Sequence, residues 1–307
     1  MSFQSDSPIN DNGRMLTQIH GPIRTRLIPV IASGWLLLGL ALAAGPARAQ
    51  EADGDFPTVS YIHAAVLGTG SYTLHGRRVT MLKMPFAWKQ RPATPESVGW
   101  RWLFPTVLGY DDLSKVDSDI IGALLPDQLV TLTVMPGVEF IYPVNENWYI
   151  KPFVELGGGH DFNSHETFGL TQLGVRSLSP FELGENWQLL LGAAARWAGE
   201  YQFDSEESNS FGIVDLGVDV RRNLPWKLFD QRLNLGAYYI FQHYLPEWGA
   251  GDAVDWKSRN KELHEFGLSL GVPHGKKIFG INVRRVRVGY KKGGDFQGWT
   301  FGTEFPF

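Results

Sequence analysis

The sequence contains no cysteine, which excludes a structural disulfide, a lipoprotein anchor and a thiolate metal site. Beyond residue 49 no segment approaches the roughly 18 uninterrupted apolar residues that a membrane-crossing helix needs. Positive charge is not in excess: the formal net charge is −4, and no basic patch of the kind that binds nucleic acid is expected. Familiar catalytic signatures are missing as well. There is no G-x-S-x-G, no H-E-x-x-H and no G-x(4)-G-K-[ST], and Gly271-Val-Pro-His-Gly275-Lys276 has the wrong spacing for a phosphate loop.

What is present begins with an export signal. Arg24 and Arg26 precede an apolar run, Leu27 to Ala44, which is followed by Ala47-Arg48-Ala49. A basic region, an apolar core and an A-x-A site predict a secretory signal peptide over residues 1–49, cleaved after Ala49. The run is nearly long enough for a retained anchor, but Pro46 and the small-residue exit favour cleavage. A start at Met15 leaves this reading unchanged. Without Arg14, Arg24, Arg26, Arg48, Asp6 and Asp11, the 28 basic and 32 acidic residues fall to 24 and 30, a net charge of −6. Gln50 to Pro57 is short, acidic and ends at a proline, and residues 50–58 read as a short periplasmic leader.

The remainder, 59–307, is rich in glycine and aromatics, with 35 Gly, 11 Trp, 19 Phe and 10 Tyr in the whole chain. An exported chain of this composition without helical spans suits a transmembrane antiparallel β-barrel, because a barrel satisfies every backbone group in lipid without continuous apolar runs. About twelve alternating segments are predicted, an even number as single-chain bacterial barrels require. They cover approximately 59–68, 76–88, 97–110, 128–142, 147–158, 166–178, 186–200, 210–222, 231–244, 261–272, 281–291 and 297–307. The connections Asp111 to Asp127, Gly159 to His165, Tyr201 to Asn209 and Pro246 to Asn260 are longer or more polar and fall on one end, expected to be extracellular. Pro143 to Glu146, Ser179 to Glu185, Asn223 to Asp230 and Pro273 to Lys277 fall on the other. Trp148, Trp187 and Trp226 then sit near the periplasmic interface as an aromatic girdle, and Trp248 and Trp256 lie in the large outer loop.

In the last nine residues, Trp299, Phe301, Thr303, Phe305 and Phe307 share one face of a predicted strand. An ordinary half-buried edge strand is the plain reading. The pattern also resembles the terminal strand of Gram-negative outer-membrane barrels, which implies recognition by the barrel-assembly machinery. The stretches Arg78 to Leu113 (RVTMLKMPFAWKQRPATPESVGWRWLFPTVLGYDDL) and Leu129 to Phe162 (LVTLTVMPGVEFIYPVNENWYIKPFVELGGGHDF) look like the solitary autotransporter-type outer-membrane barrels. That resemblance spans most of the mature chain and implies a barrel of about twelve strands with no exported passenger. It specifies fold better than activity.

Strand parity sorts the side chains. Val130, Leu132, Val134, Val138 and Phe140 face outward, as do Trp148, Ile150, Val154 and Leu156. So do Trp187, Leu189, Leu191 and Trp197, then Val214, Leu216, Val218 and Val220, then Val286, Val288 and Tyr290, and Trp100, Trp102 and Phe104. The lumen then holds Arg101, Lys151, Arg196, Arg221, Arg285 and Arg287 against Glu139, Glu155, Glu200, Asp215 and Asp219. A one-residue slip would place these charges in hydrocarbon at roughly 2 to 4 kcal/mol for each Arg or Lys near the midplane, so the register is well specified. The lumen is either a charge-lined channel for small solutes or a paired network that holds a narrow barrel rigid. His264 faces lipid. In one outer loop His160, Asp161, Ser164, His165 and Glu166 suggest a Ser/His/acid set of the kind used by outer-membrane lipid hydrolases, or a metal site of His160, His165 and Asp161. Short polar loops collect such groups by chance.

The sequence therefore predicts a monomeric outer-membrane barrel among outer-membrane lipids and lipopolysaccharide, a narrow pore or structural surface barrel, with the barrel-assembly machinery and periplasmic chaperones as partners in biogenesis. Neither cofactor, metal nor enzyme activity is expected. The alternative is a lipid hydrolase with its site in loop 160–166.

Overall fold

The computed structural model describes residues 61–74, 77–111, 129–162, 164–204, 208–228, 230–245, 261–278, 281–294 and 296–307. The predicted signal peptide, the leader 50–58, Trp248 and Trp256 lie outside these residues, as does the side chain of Val130.

Strands dominate because alternating apolar residues repeat through most of the chain. After one helix, α1 (Tyr61–Leu67), come β1 (Gly70–Leu74), β2 (Arg77–Arg91), β3 (Gly99–Asp111), β4 (Leu129–Val134), β5 (Gly137–Asn145), β6 (Trp148–Asp161) and β7 (Thr167–Glu182). Then follow β8 (Trp187–Gln202), β9 (Ser208–Leu228), β10 (Gln231–Leu245), β11 (Glu262–Ile278), β12 (Ile281–Gly293) and β13 (Phe296–Gly302). All pairings are antiparallel, and each strand from β6 to β13 pairs with its sequence neighbour. β1 pairs with β13 on one side and β2 on the other, and β2 pairs with β3, so no edge is left open.

The thirteen segments occupy twelve wall positions, because β4 and β5 are two parts of one strand. Both pair with β3 and with β6, and the register carries on unchanged across the break between them. The interruption is Met135-Pro136. Pro136, and Pro105 opposite Met135, have no N–H to give to the ladder; Met135 N to Pro105 O (3.0 Å) and Leu156 N to Pro136 O (2.9 Å) bridge the gap.

Where the first strand, 59–68, was expected, Tyr61–Leu67 form a helix instead. Ile62, Ala65 and Val66 recur with helical spacing on a stretch that includes Ala and Leu, and Gly68 at φ +88° ends the helix and turns the chain into β1. The count of twelve holds because β1, which the segment count had not included, takes the missing place. The end of the chain also departs from expectation. β13 stops at Gly302, and the tail that follows leaves the wall.

Outward parity is as the alternation predicts. Trp88 and Trp226 are each 68 % exposed, and Leu156, Phe266, Leu268, Val286, Trp299 and Phe301 are also exposed on the outer surface. An apolar exterior of this kind on a closed barrel is a surface suited to lipid. The ends are called outer and inner below. The outer end carries connections 112–128 and 246–260, and the inner end carries tight turns such as 146–147 and 183–186.

Candidate functional site

The residues with chemical potential line the bore, and two segments of the chain fill it. In the outer half α1 lies against the wall, and Ile62, Ala65, Val66 and Leu67 are buried with Tyr72, Met81, Val107, Met135, Phe168, Leu170, Ala198, Phe211, Ile213, Tyr244, Leu263 and Phe296. Most strands contribute, so the apolar cluster joins the helix to wall residues on several sides of the bore. A seven-residue helix is marginal by itself, and the wall completes it. Glu200 Oε2 accepts the Ile62 N–H at 2.9 Å, at the end where unpaired amides and the helix dipole favour a negative charge. At the other end Lys83 Nζ donates to Ala65 O at 2.9 Å, and the Tyr72 hydroxyl donates to Leu67 O at 3.1 Å.

Tyr61 ties the helix to the outer rim. Its ring stacks on Phe168 with centroids 4.0 Å apart, and its hydroxyl, with one proton to give, lies within hydrogen-bond distance of Asp161 (2.9 Å) and Glu166 (3.0 Å). Burial raises the Tyr61 pKa and both carboxylates raise it further, against the Ser164 hydroxyl, so Tyr61 remains a donor. This bears directly on the loop singled out for hydrolysis. Asp161 Oδ1 accepts the Ser164 N–H at 3.1 Å, while His160 Nδ1 is 3.2 Å from the Thr167 hydroxyl. His165 sits in the left-handed region at φ 62°. Among the described residues no hydrogen bond joins Ser164 to either histidine, and no three-residue His/Asp/Glu group of metal-binding geometry forms. The acids expected to orient a catalytic histidine hold the helix instead.

Below the helix lies a belt of buried charge. Glu139, 0 % exposed, takes Arg101 at 2.6 Å and Arg176 at 2.5 Å. A longer chain of contacts runs from Arg196 to Asp215 (2.8 Å), from Gln242 to Asp215 (2.7 Å), from Lys291 to Gln242 (2.7 Å) and from Lys291 to Glu265 (3.2 Å). Glu265 also accepts from Arg287 (2.7 Å), Tyr238 (2.9 Å) and Thr300 (2.8 Å). Arg221 pairs with Asp219 at 2.8 Å. Glu155 is buried in the field of Lys83 and Arg176.

All eleven lumen residues picked by parity point into the bore, but their partners differ from a simple acid–base wall. Glu200 serves the helix, Lys151 donates to the main-chain oxygen of Phe307 at 2.8 Å, and Arg285 bonds Ser269 (2.7 Å) and Asn234 rather than a carboxylate. Sequence reading missed Lys83, Arg176, Glu265 and Lys291. Lys83 carries the same parity signal between Leu82 and Met84, whereas Arg176, Glu265 and Lys291 each have a polar residue on one side, Ser177, His264 and Lys292, which blurs the alternation.

The inner half is filled by the tail. Phe305 (7 % exposed) and Phe307 (6 %) are buried against Leu190, Ala194, Tyr238 and Ile240, with Leu178 alongside. This corrects the expectation that both rings share the outward face with Trp299 and Phe301, which do point outward. Thr303 is half-buried beyond the end of β13. Tail and wall share one parity, so alternation alone does not reveal that the chain bends inward after Gly302.

No protein-family model and no curated protein matches the chain. Nine solved chains resemble it. One is the β-domain of the Bordetella autotransporter BrkA, 11 % identical, covering 76 % of this chain and 93 % of that one, with a TM-score of 0.47. The strand pairings of the chain itself establish the closed barrel.

Proposed function

We propose that the protein is an outer-membrane barrel that stands closed, a structural surface barrel rather than an open pore, and that it has no enzymatic activity. The observation that carries this reading is the apolar cluster around α1, which spans the outer half of the bore. A conduit for small solutes needs continuous water, and a cluster of packed apolar side chains opposes it. The predicted signal peptide and the apolar exterior support the outer-membrane location. Lipids and lipopolysaccharide are then its surroundings, and the barrel-assembly machinery its partner in biogenesis.

Planar-bilayer recording tests the reading. The wild-type barrel is expected to give no unitary conductance, and a variant carrying Ile62→Asp and Val66→Asp, which puts charge into the cluster, is expected to give steps. Stable unitary conductance from wild type overturns it. A phospholipid and lipopolysaccharide hydrolysis assay on the same preparation should show no turnover.

A further inference from the structure

The tail rests on a surface that the wall has left bare. Gly192 of β8 and Gly217 of β9 are direct cross-strand partners and both face the bore. On the same row Leu178 lies opposite Gly192, and Ile240 lies opposite Gly217. The result is a slot with a two-glycine floor and an aliphatic wall on each side. A Cβ on Gly192 would meet the Phe307 ring at 2.3 Å, and one on Gly217 would meet Phe307 at 2.4 Å and Phe305 at 2.8 Å. No side chain other than hydrogen fits beneath those rings. Lys151 closes the slot by donating to the Phe307 main-chain oxygen at 2.8 Å, and the two rings pack on each other with centroids 4.8 Å apart.

We propose that this slot is a peptide-binding site and that residues 303–307 are its tethered ligand. The ligand class follows from the geometry. Rings at positions i and i+2 must fall on the same side, which requires an extended segment, and Pro306 between them keeps the backbone extended. The main-chain oxygen of the second aromatic must reach the Lys151 ammonium. The slot therefore recognises an extended aromatic-x-aromatic segment, and the tail is held by local contacts rather than by the ladder. It can leave while the barrel remains closed by its strand pairings. The proposal stands whether or not the outer half conducts, because the slot is separate from the α1 cluster.

The test uses a variant ending at Gly302 and the peptide Thr-Glu-Phe-Pro-Phe labelled at its N-terminus. The folded variant, recognised by heat-modifiable migration, should bind the peptide saturably. Replacing either Phe of the peptide with Ala, or adding Gly217→Val to the barrel, should weaken binding at least about tenfold. Lys151→Met should weaken it severalfold. Equal binding of the Ala peptides, or no binding by a folded variant, overturns the proposal. The wild-type chain provides a second measurement if truncation prevents folding. Carboxypeptidase should release Phe307 slowly, and excess free peptide should accelerate that release severalfold by displacing the tail. Release at the same rate with and without peptide overturns the proposal equally.

Discussion

The two halves of the bore meet one requirement in opposite ways. A barrel of twelve strands is wider than inward side chains alone can fill, unlike one of eight, so a further segment has to enter. In the outer half the wall brings the bulk, with Tyr72, Phe168, Phe211, Tyr244 and Phe296, and the inserted helix presents Ala65, Val66 and Ile62. In the inner half the wall withdraws to Gly192 and Gly217, and the inserted tail brings the rings. Attachment differs too. The helix is held at both ends by wall side chains and at the rim by Tyr61, whereas the tail has the Lys151 contact and its aromatic packing. Aromatic bulk on the wall makes a seat for a slender insert, and a bare wall makes the insert itself the filler. The outer seal is therefore built into the barrel, and the inner one can be withdrawn.

The belt of charge between the halves belongs to both, and breaking it should have the largest effect. Glu265→Gln leaves Arg287 and Lys291 buried without their shared carboxylate. Losing one member of a buried ion network costs about 3 to 5 kcal/mol, and water reaching the bore would reduce it. The expected outcome is a lower unfolding midpoint in lipid, together with easier release of Phe307 and loosening of the helix. A loss confined to one half would show that the halves are not coupled through Glu265.

A smaller change should separate them. Ile62 is fully buried in the α1 cluster, and Ile62→Ala leaves a cavity costing about 2 to 5 kcal/mol. Hydrogen exchange in α1 should quicken markedly while carboxypeptidase release of Phe307 stays at the wild-type rate. Faster release of Phe307 in this variant would mean that the outer seal supports the inner one.

The same contrast explains what the sequence disclosed. An apolar exterior around a charged bore imposes strict alternation on the wall, so outward Trp102, Leu156 and Val286 and inward Glu139, Asp215 and Arg287 were legible from parity. The inserts obey no such rule. Tyr61 to Leu67 is short and apolar, and alternation over so few residues does not separate strand from helix, although the spacing of Ile62, Ala65 and Val66 was there to be read. Phe305 and Phe307 continue the parity of Trp299 and Phe301, and nothing local marks the bend after Gly302. Partner choice was also hidden. Lys151 was expected to face an acid, but its donor goes to the Phe307 main chain, a contact between residues 156 positions apart.

The smallest expected effect concerns how the helix is held. Glu200→Gln keeps an oxygen that can accept the Ile62 N–H, so that hydrogen bond survives while the charge is lost. A negative charge at a helix N-terminus contributes about 0.3 to 1 kcal/mol, and up to about 2 kcal/mol where partly buried. With seven residues α1 has few aligned peptide dipoles, which places the change near the lower end. A second contribution has the same sign. Gln202 Nε2 donates to Glu200 Oε1 at 2.9 Å, and with its one oxygen on the Ile62 N–H the new amide sets its NH₂ against that donor, so the Gln202 contact is broken unless the Gln202 amide turns over. Global stability should fall by about 1 kcal/mol or less, while the Ile62 amide exchanges several times faster than in wild type. Lys151→Gln makes the matching change at the inner end, and it should leave Ile62 untouched while quickening Phe307 release. If Glu200→Gln instead unfolds the barrel, Glu200 is a member of the wall network and the helix does not depend on it. If neither rate moves, the apolar cluster alone seats α1, and the difference in attachment between the two inserts reduces to packing.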